Sequence, residues 1–161
     1  MFHDVDPRIW DRMVELEAID TRDRSDGTPQ LARLRQIPPE TGRLLAMLLA
    51  NAPAGRILEI GTSVGYSTMW LSLAARPAGR SIKTFELLPE KTAGARETFE
   101  MTGIGDMVEL VEGNAVEVVA REREVAFCFL DAEKDLYAEC YELVVPNLVS
   151  GGLLIADNTV N

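Results

Sequence analysis

Residues 58–67 read Leu58-Glu59-Ile60-Gly61-Thr62-Ser63-Val64-Gly65-Tyr66-Ser67, and this stretch decides the fold. Its apolar first residues predict a buried strand, and its two glycines predict a sharp turn into a helix. The free N–H groups at the start of a helix favour a carboxylate or a phosphate. The stretch therefore predicts a strand, a loop and a helix that together approach a ligand closely.

Short apolar runs alternate with amphipathic segments from this stretch to the end of the chain. We predict strands over residues 57–60, 81–86, 107–111, 126–130 and 153–156. We predict helices at about 66–75, 89–101, 115–121 and 134–145, and glycine turns that include 103–105 and 150–152. Strands that are apolar on both faces and alternate with helices favour a covered parallel sheet. The predicted class is α/β, with a Rossmann-like, doubly wound, mainly parallel sheet and helices on both faces.

The N-terminal third predicts two helices joined by a polar stretch. Asp6-Pro7 is typical of a helix start, and Pro38-Pro39 opens a second helix that ends near Asn51. Residues 21–36 between them are polar and contain four arginines, which predicts a mobile connection. That connection is either a solvated loop or a cover that touches an acidic substrate. We predict a cap over residues 1–55 and a core over residues 56–161 within one domain.

Composition narrows the class of function. The 161 residues, 47% of them hydrophobic, suit a single domain with a real core. A formal net charge of −10 disfavours general binding to nucleic acid or to a membrane surface. The single histidine, His3, disfavours catalysis by a Ser-His or Cys-His pair and histidine-rich zinc sites. Cys128 and Cys140 are interpreted as reduced core residues of a cytoplasmic protein.

The loop itself indicates which ligand it suits. A dinucleotide fingerprint that starts at Gly61 would need glycine at positions 63 and 66, where this chain has Ser63 and Tyr66. NAD is therefore disfavoured. Glu59, near the strand's exit, suits a cationic amino group better than a phosphate. Glu86 ends the second predicted strand and suits the two hydroxyls of a ribose, unless it is simply a solvated strand end.

Oxygen-bearing side chains follow the fourth and fifth predicted strands. Asp131 follows one strand, and Asp157 and Asn158 follow the other. Adjacent strand ends would bring these side chains together as an all-oxygen set suited to Mg²⁺ or another divalent cation. Helix capping is the alternative role for either aspartate. Lys134 is a candidate to assist deprotonation of a substrate, and Tyr137 lies one helical turn beyond it.

Residues 58–67, Asp131-Ala132-Glu133-Lys134 and Asp157-Asn158 resemble motifs of the metal-dependent O-methyltransferase family that includes catechol and caffeoyl-coenzyme A O-methyltransferases. The resemblance covers about residues 38–158. The departure is Glu133, where the family more often has aspartate. The resemblance implies S-adenosylmethionine as the cofactor. Glu59 would bind its methionine amino group, Gly61, Thr62 and Ser67 would surround its amino-acid part, Glu86 would bind the ribose, Ala115 would lie at the adenine, and Asp131 would lie beside the cofactor. The resemblance also implies Asp131, Asp157 and Asn158 as the ligands of the metal. It also implies Lys134 and Asp131 as the catalytic residues.

The resemblance implies O-methylation of a small catechol-like or caffeoyl-type acceptor. One alternative is methylation of a hydroxyuridine in tRNA at the same site, and another is a catalytically silent cofactor-binding module. Family members continue beyond the second metal motif, so we expect the C-terminal strands to be missing from this chain. A homodimer is a family-level expectation.

Overall fold

The structure is a computed structural model that describes residues 4–159, so His3 lies outside the described residues. Six α-helices are present in the described part: α1 Pro7–Asp23, α2 Pro39–Ala50, α3 Tyr66–Ala75, α4 Pro89–Thr102, α5 Ala115–Val119 and α6 Tyr137–Val144. Five strands form the sheet: β1 Arg56–Ile60, β2 Ile82–Glu86, β3 Val108–Glu112, β4 Val125–Leu130 and β5 Leu148–Ala156. Short 3-10 turns follow α3 and flank α6: Arg76–Ala78, Lys134–Leu136 and Val145–Asn147.

The sheet has the order β3-β2-β1-β4-β5, and every neighbouring pair is parallel. From β1 the chain adds β2 and then β3 on one side, and it then crosses to the other side of β1 to add β4 and β5. This reversal leaves a crevice where β1 and β4 meet. Ile60 pairs with Leu130, and Leu130 pairs with Ala156, so these three strands end level with one another. The residues that follow them therefore meet at one edge of the sheet.

Hydrophobic clusters cover both faces of the sheet. One face packs against α1, α2 and α3 through Met13, Leu45 and Trp70. The other face packs against α5 and α6, and it contains Cys128 and Cys140, both buried free thiols. The predicted helices on both faces and the predicted core position of the two cysteines are confirmed. Within residues 4–159, no helix is long and apolar enough to cross a membrane.

The structure corrects the predicted turn at residues 150–152. This segment belongs to β5, which begins at Leu148 rather than at residue 153. The strand bulges there: Val125 pairs with Leu148, but Phe127 pairs with Leu153. A Cβ on Gly152 would lie 2.9 Å from the carbonyl oxygen of Val125. The glycine therefore marks a close approach between strands, and not the end of a strand.

Candidate functional site

The loop between β1 and α3 depends on two glycines in the left-handed region. Gly61 has a φ of 99°, and a Cβ there would overlap the backbone carbonyl of Asp131. Gly65 has a φ of 89° and precedes the first turn of α3, where a Cβ would lie 2.6 Å from the ring of Phe99. Both positions combine a conformation that favours glycine with a lack of space for a side chain. The loop consequently packs tightly against β4 on one side and α4 on the other.

A cavity of about 280 Å³ opens beside this loop, at the carboxyl edge of the sheet. Its walls include Gly61, Thr62, Ser67, Glu86, Ala115 and Asp131. The structure thus brings together most of the residues that the sequence predicted for a cofactor. Glu59, Lys134, Asp157 and Asn158 are not among the described residues that line it.

Glu86 connects the end of β2 to the glycine loop. Its Oε2 accepts a hydrogen bond from the backbone N–H of Ser63 at 2.7 Å, and its Oε1 accepts one from Leu88 at 3.0 Å. The carboxylate is partly buried, accepts two backbone hydrogen bonds and lines the cavity, which favours a role in the cavity over a solvated strand end. A carboxylate oxygen can accept further hydrogen bonds, which leaves Glu86 able to receive donors from a ligand.

Glu59 lies beneath the loop and is fully buried. The hydroxyls of Thr68 and Thr84 donate to its Oε2 at 2.5 and 2.6 Å. Its Oε1 is also buried and has no hydrogen-bond partner within the described part of the chain. Burial raises the pKa of this carboxyl to about 7, because a charged carboxylate loses its hydration there. An unpartnered buried oxygen of this kind fits a cationic or N–H donor from a ligand.

Residues 31–37 form a third wall of the cavity, and we call them the cover segment. The Asp23 carboxylate of α1 accepts from the backbone N–H of Leu34 at 2.7 Å. Ser63 Oγ donates to the carbonyl of Leu34 at 3.0 Å, and Lys91 Nζ donates to the carbonyl of Arg33 at 2.6 Å. The composition predicted a mobile connection, whereas the structure shows an anchored segment. Of the two interpretations of residues 21–36, a cover fits residues 31–37 better than a solvated loop does, since these residues line the cavity.

Asp131 and Asp157 follow paired ends of β4 and β5. The backbone N–H of Asp131 donates to Ile60 O at 2.8 Å, and that of Asp157 donates to Leu130 O at 3.0 Å. Burial, and secondly the negative charge of Asp157, raise the pKa of Asp131 to about 6. Asp131 is not a helix N-cap, since Glu133 occupies the position before the Lys134–Leu136 turn.

The candidate metal ligands also include an amide. Asn158 Nδ2 donates to Asp157 Oδ2 at 2.6 Å, which places the amide beside the carboxylate. No group of three or more His, Cys, Asp or Glu side chains suited to a metal occurs among residues 4–159. A cation at this edge would therefore need the Asn158 oxygen, water or a substrate to complete its shell.

Lys134 is held next to these residues. Its Nζ donates to the Tyr137 hydroxyl at 2.6 Å and to the carbonyl of Asp157 at 3.0 Å. The Tyr137 hydroxyl lies 3.0 Å from the same carbonyl and 3.2 Å from the carbonyl of Leu130. Lys134 is therefore fixed against the end of β5 rather than extended from a helix surface. An amine in this place can hold or accept a proton at the edge of the cavity.

Comparisons with known proteins agree with this geometry. The chain is 31% identical to a catechol O-methyltransferase of Niastella koreensis over 129 residues, which is 77% of this chain and 58% of that protein. It is 31% identical over 126 residues to a catechol O-methyltransferase of Mycobacterium tuberculosis, covering 77% of this chain and 57% of that protein. The chain thus spans a little under 60% of the length of these relatives.

Solved structures resemble the whole chain. The SAH-bound methyltransferase PaMTH1 of Podospora anserina matches with a TM-score of 0.76 and 29% identity, over 92% of this chain and 62% of that one. The O-methyltransferase of Bacillus cereus in complex with SAH matches with a TM-score of 0.72 and 25% identity, over 100% of this chain and 74% of that one. The sequence model described as O-methyltransferase matches residues 18–161. The chain therefore belongs to the O-methyltransferase family.

Proposed function

We propose that the protein binds S-adenosylmethionine in the cavity and transfers its methyl group to a hydroxyl oxygen of a small catechol-like or caffeoyl-type acceptor. The observation that carries this proposal is the order of groups along one cavity. Its walls run from Ala115 and Glu86 beside β2 and β3, past the glycine loop, to Asp131 at the end of β4. The relatives with SAH bound, and those named catechol O-methyltransferase, support the same proposal.

The cavity has a place for each part of this cofactor. Glu86 would accept from the ribose hydroxyls, since it lines the cavity and its carboxylate oxygens can accept further hydrogen bonds. The small side chain of Ala115 leaves room for the adenine. Asp131 would face the positive charges of the methionine part, and the unpartnered Oε1 of Glu59 would support them from beneath. Gly61, Thr62 and Ser67 would surround the same amino-acid part.

The donor set at the ends of β4 and β5 fits a divalent cation such as Mg²⁺. Burial, and secondly the negative charge of Asp157, raise the pKa of Asp131, and a cation would stabilise both carboxylates in their charged form. Asp131, Asp157 and Asn158 would hold it. A bound divalent cation lowers the pKa of an acceptor hydroxyl, which is about 10 for a free phenol, and fixes its oxygen.

The chain's own residues would position the reactants and receive the proton. In the reaction the bond between sulfur and the methyl carbon breaks, the bond from the acceptor oxygen to that carbon forms, and the hydroxyl proton leaves. Lys134 is held at the end of β5 by Tyr137 and by the Asp157 carbonyl. It would assist the loss of the proton, either as the base or as a nearby positive charge. Alignment of the two reactants in the cavity would supply much of the remaining acceleration.

A labelled-cofactor assay with Mg²⁺ tests the proposal across catechol, caffeoyl-coenzyme A and tRNA acceptors. We expect transfer to a small acceptor, loss of transfer in excess chelator, and a rise in melting temperature with SAH but not with NAD. Transfer to tRNA alone would favour the hydroxyuridine alternative. A protein that binds SAH and methylates none of these acceptors would be the silent module. Stabilisation by NAD in place of SAH would contradict the cofactor assignment.

A further inference from the structure

Arg35 places a positive charge at the acceptor end of the cavity. It belongs to the cover segment and lines the cavity together with Asp131 and Glu133. Its guanidinium donates to Glu133, which follows β4 two residues after Asp131. This contact puts Arg35 at the end of β4, whereas Ala115 follows β3 at the edge of the sheet. Arg35 is therefore near the proposed acceptor and away from the proposed adenine site.

The partner of Arg35 in the structure is a side chain at the cavity mouth. Arg35 Nη1 donates to Glu133 Oε1 at 2.5 Å, and the two side chains are 38% and 59% exposed. An exposed pair of this kind adds little to stability. A guanidinium has five N–H donors, so this single contact leaves Arg35 able to bind a second carboxylate or to exchange the first.

The backbone on both sides of Arg35 is fixed. The N–H of Leu34 is bound by Asp23 at 2.7 Å, and the N–H of Gln36 is bound by Asp20 at 3.2 Å. Arg35 itself has a φ of 53°, in the left-handed region that residues other than glycine seldom adopt. A conformation of this type persists only where its surroundings enforce it. The fold thus presents Arg35 to the cavity from a held position.

We infer that Arg35 selects an acceptor that carries a carboxylate in addition to its vicinal hydroxyls, with Glu133 occupying the guanidinium until that carboxylate arrives. This inference rests on the proposed function and names the class of acceptor for it. The protein carries a net charge of −10, so an anionic acceptor needs a local cation to enter. Bidentate pairing with a carboxylate is the interaction that a planar guanidinium makes best.

Three acceptors with the same vicinal dihydroxyphenyl ring test the inference: the dihydroxybenzoate, the matching benzyl alcohol and the matching benzylamine. Each is assayed with S-adenosylmethionine and Mg²⁺, and its dissociation constant is measured by calorimetry with SAH and Mg²⁺. The variants are Arg35→Gln, Arg35→Lys and Glu133→Gln. Arg22→Gln serves as the matched control, because it removes one positive charge from an exposed position on α1.

Arg35→Gln should lower the preference for the acid over the alcohol by about tenfold or more, mainly through KM. Arg35→Lys should restore part of that preference. Glu133→Gln should act in the opposite direction and raise affinity for the acid severalfold, because it removes the competing carboxylate. Arg22→Gln should leave the preference as it is in the original chain.

An equal change for acid and alcohol in Arg35→Gln, in either turnover or binding, would overturn the inference. So would a loss of acid binding in Glu133→Gln, since the ion pair would then be a support for the cover segment only. Failure of the proposed function is distinguishable from both results: SAH would not bind, or none of the three acceptors would be methylated by the original chain. The calorimetric affinities still decide the role of Arg35 if turnover is absent.

Discussion

At the β1–β3 end of the cavity the polar groups are buried and bonded to one another, whereas at the β4–β5 end they are mostly side chains at the protein surface. Glu59, Thr62 and Thr84 are all at most 1% exposed, and the two threonine hydroxyls lie 2.5 Å apart. At the other end, Lys134 and Asn158 are exposed. The polar groups at the β1–β3 end are therefore part of the core, and those at the β4–β5 end lie on its surface.

Because of this difference in burial, substitutions at the two ends of the cavity should affect different properties of the protein. A change at the buried end removes contacts on which the sheet and α3 depend, so it should lower stability as well as cofactor affinity. A change at the exposed end should alter turnover or acceptor choice while the protein remains folded.

Asp157→Ala should have the largest effect, and it should act on chemistry alone. Loss of one carboxylate from the proposed cation site should reduce methyl transfer by about a thousandfold or more. SAH affinity and the melting temperature should stay close to those of the original chain. Asp106→Ala is the matched control, because Asp106 is an exposed aspartate before β3, at the opposite edge of the sheet. Substantial transfer by Asp157→Ala would remove Asp157 from the proposed ligand set.

Gly61→Ala should act on both stability and binding. The added methyl group would overlap the Asp131 carbonyl, and the alanine would have to adopt a positive φ. Together these two effects should cost about 3 to 5 kcal/mol of stability. Gly79→Ala is the control: Gly79 also has a positive φ, but nothing lies within 4 Å of its added Cβ. That variant should lose only about 1 kcal/mol. Urea unfolding compares them, and equal losses would show that the close approach to β4 is unimportant.

The sequence predicted the sheet well because its signals are local. Each strand is a short apolar run, and each helix has its own turn residues. Glu86, Asp131 and Asp157 could be placed together because parallel strands end at one edge of the sheet. The bulge at Gly152 could not be predicted in this way, since it depends on how β5 approaches Val125.

The cover segment could not be placed from sequence, because its anchors are far apart along the chain. Asp23, Ser63 and Lys91 each bind its backbone, and Lys91 is 58 residues from Arg33. Backbone groups carry no sequence signal of their own, so a side chain that binds backbone distant in sequence is not detectable by a local pattern. Composition alone consequently suggested a mobile connection.

Glu59 predicts how stability depends on pH at the buried end. Burial raises its pKa from 4.5 to about 7 in the folded protein. Between these values the folded protein keeps a proton that the unfolded chain has released, so stability is greatest below pH 4.5 and is lost as pH rises through 7. The loss should approach about 3 kcal/mol.

Glu59→Gln provides the comparison, because glutamine has the shape of the neutral acid and does not titrate. Most other groups titrate alike in both proteins, so their difference reports Glu59 together with its interaction with Asp131. Urea unfolding without cofactor at pH 5 and pH 8 should show the variant gaining on the original chain as pH rises. A difference that is the same at both pH values would mean that Glu59 is already ionised when the cavity contains no cofactor.

Lys91→Met should have the smallest effect, and it tests whether the cover segment belongs to the buried or to the exposed end. Lys91 Nζ donates to the carbonyls of Ala32 and Arg33, and both can turn to water when it is removed. The loss should be about 1 kcal/mol, which makes the anchored position of the segment less populated and should weaken SAH binding by at most about fivefold. Hydrogen exchange of residues 32–37 should quicken while the exchange of β1 does not.

Arg96→Met, at an exposed position of α4, controls for the lost charge. If β1 also exchanged faster, the cover segment would unfold together with the core. It would then belong to the buried end of the cavity, and the exposed end would begin only near Asp131.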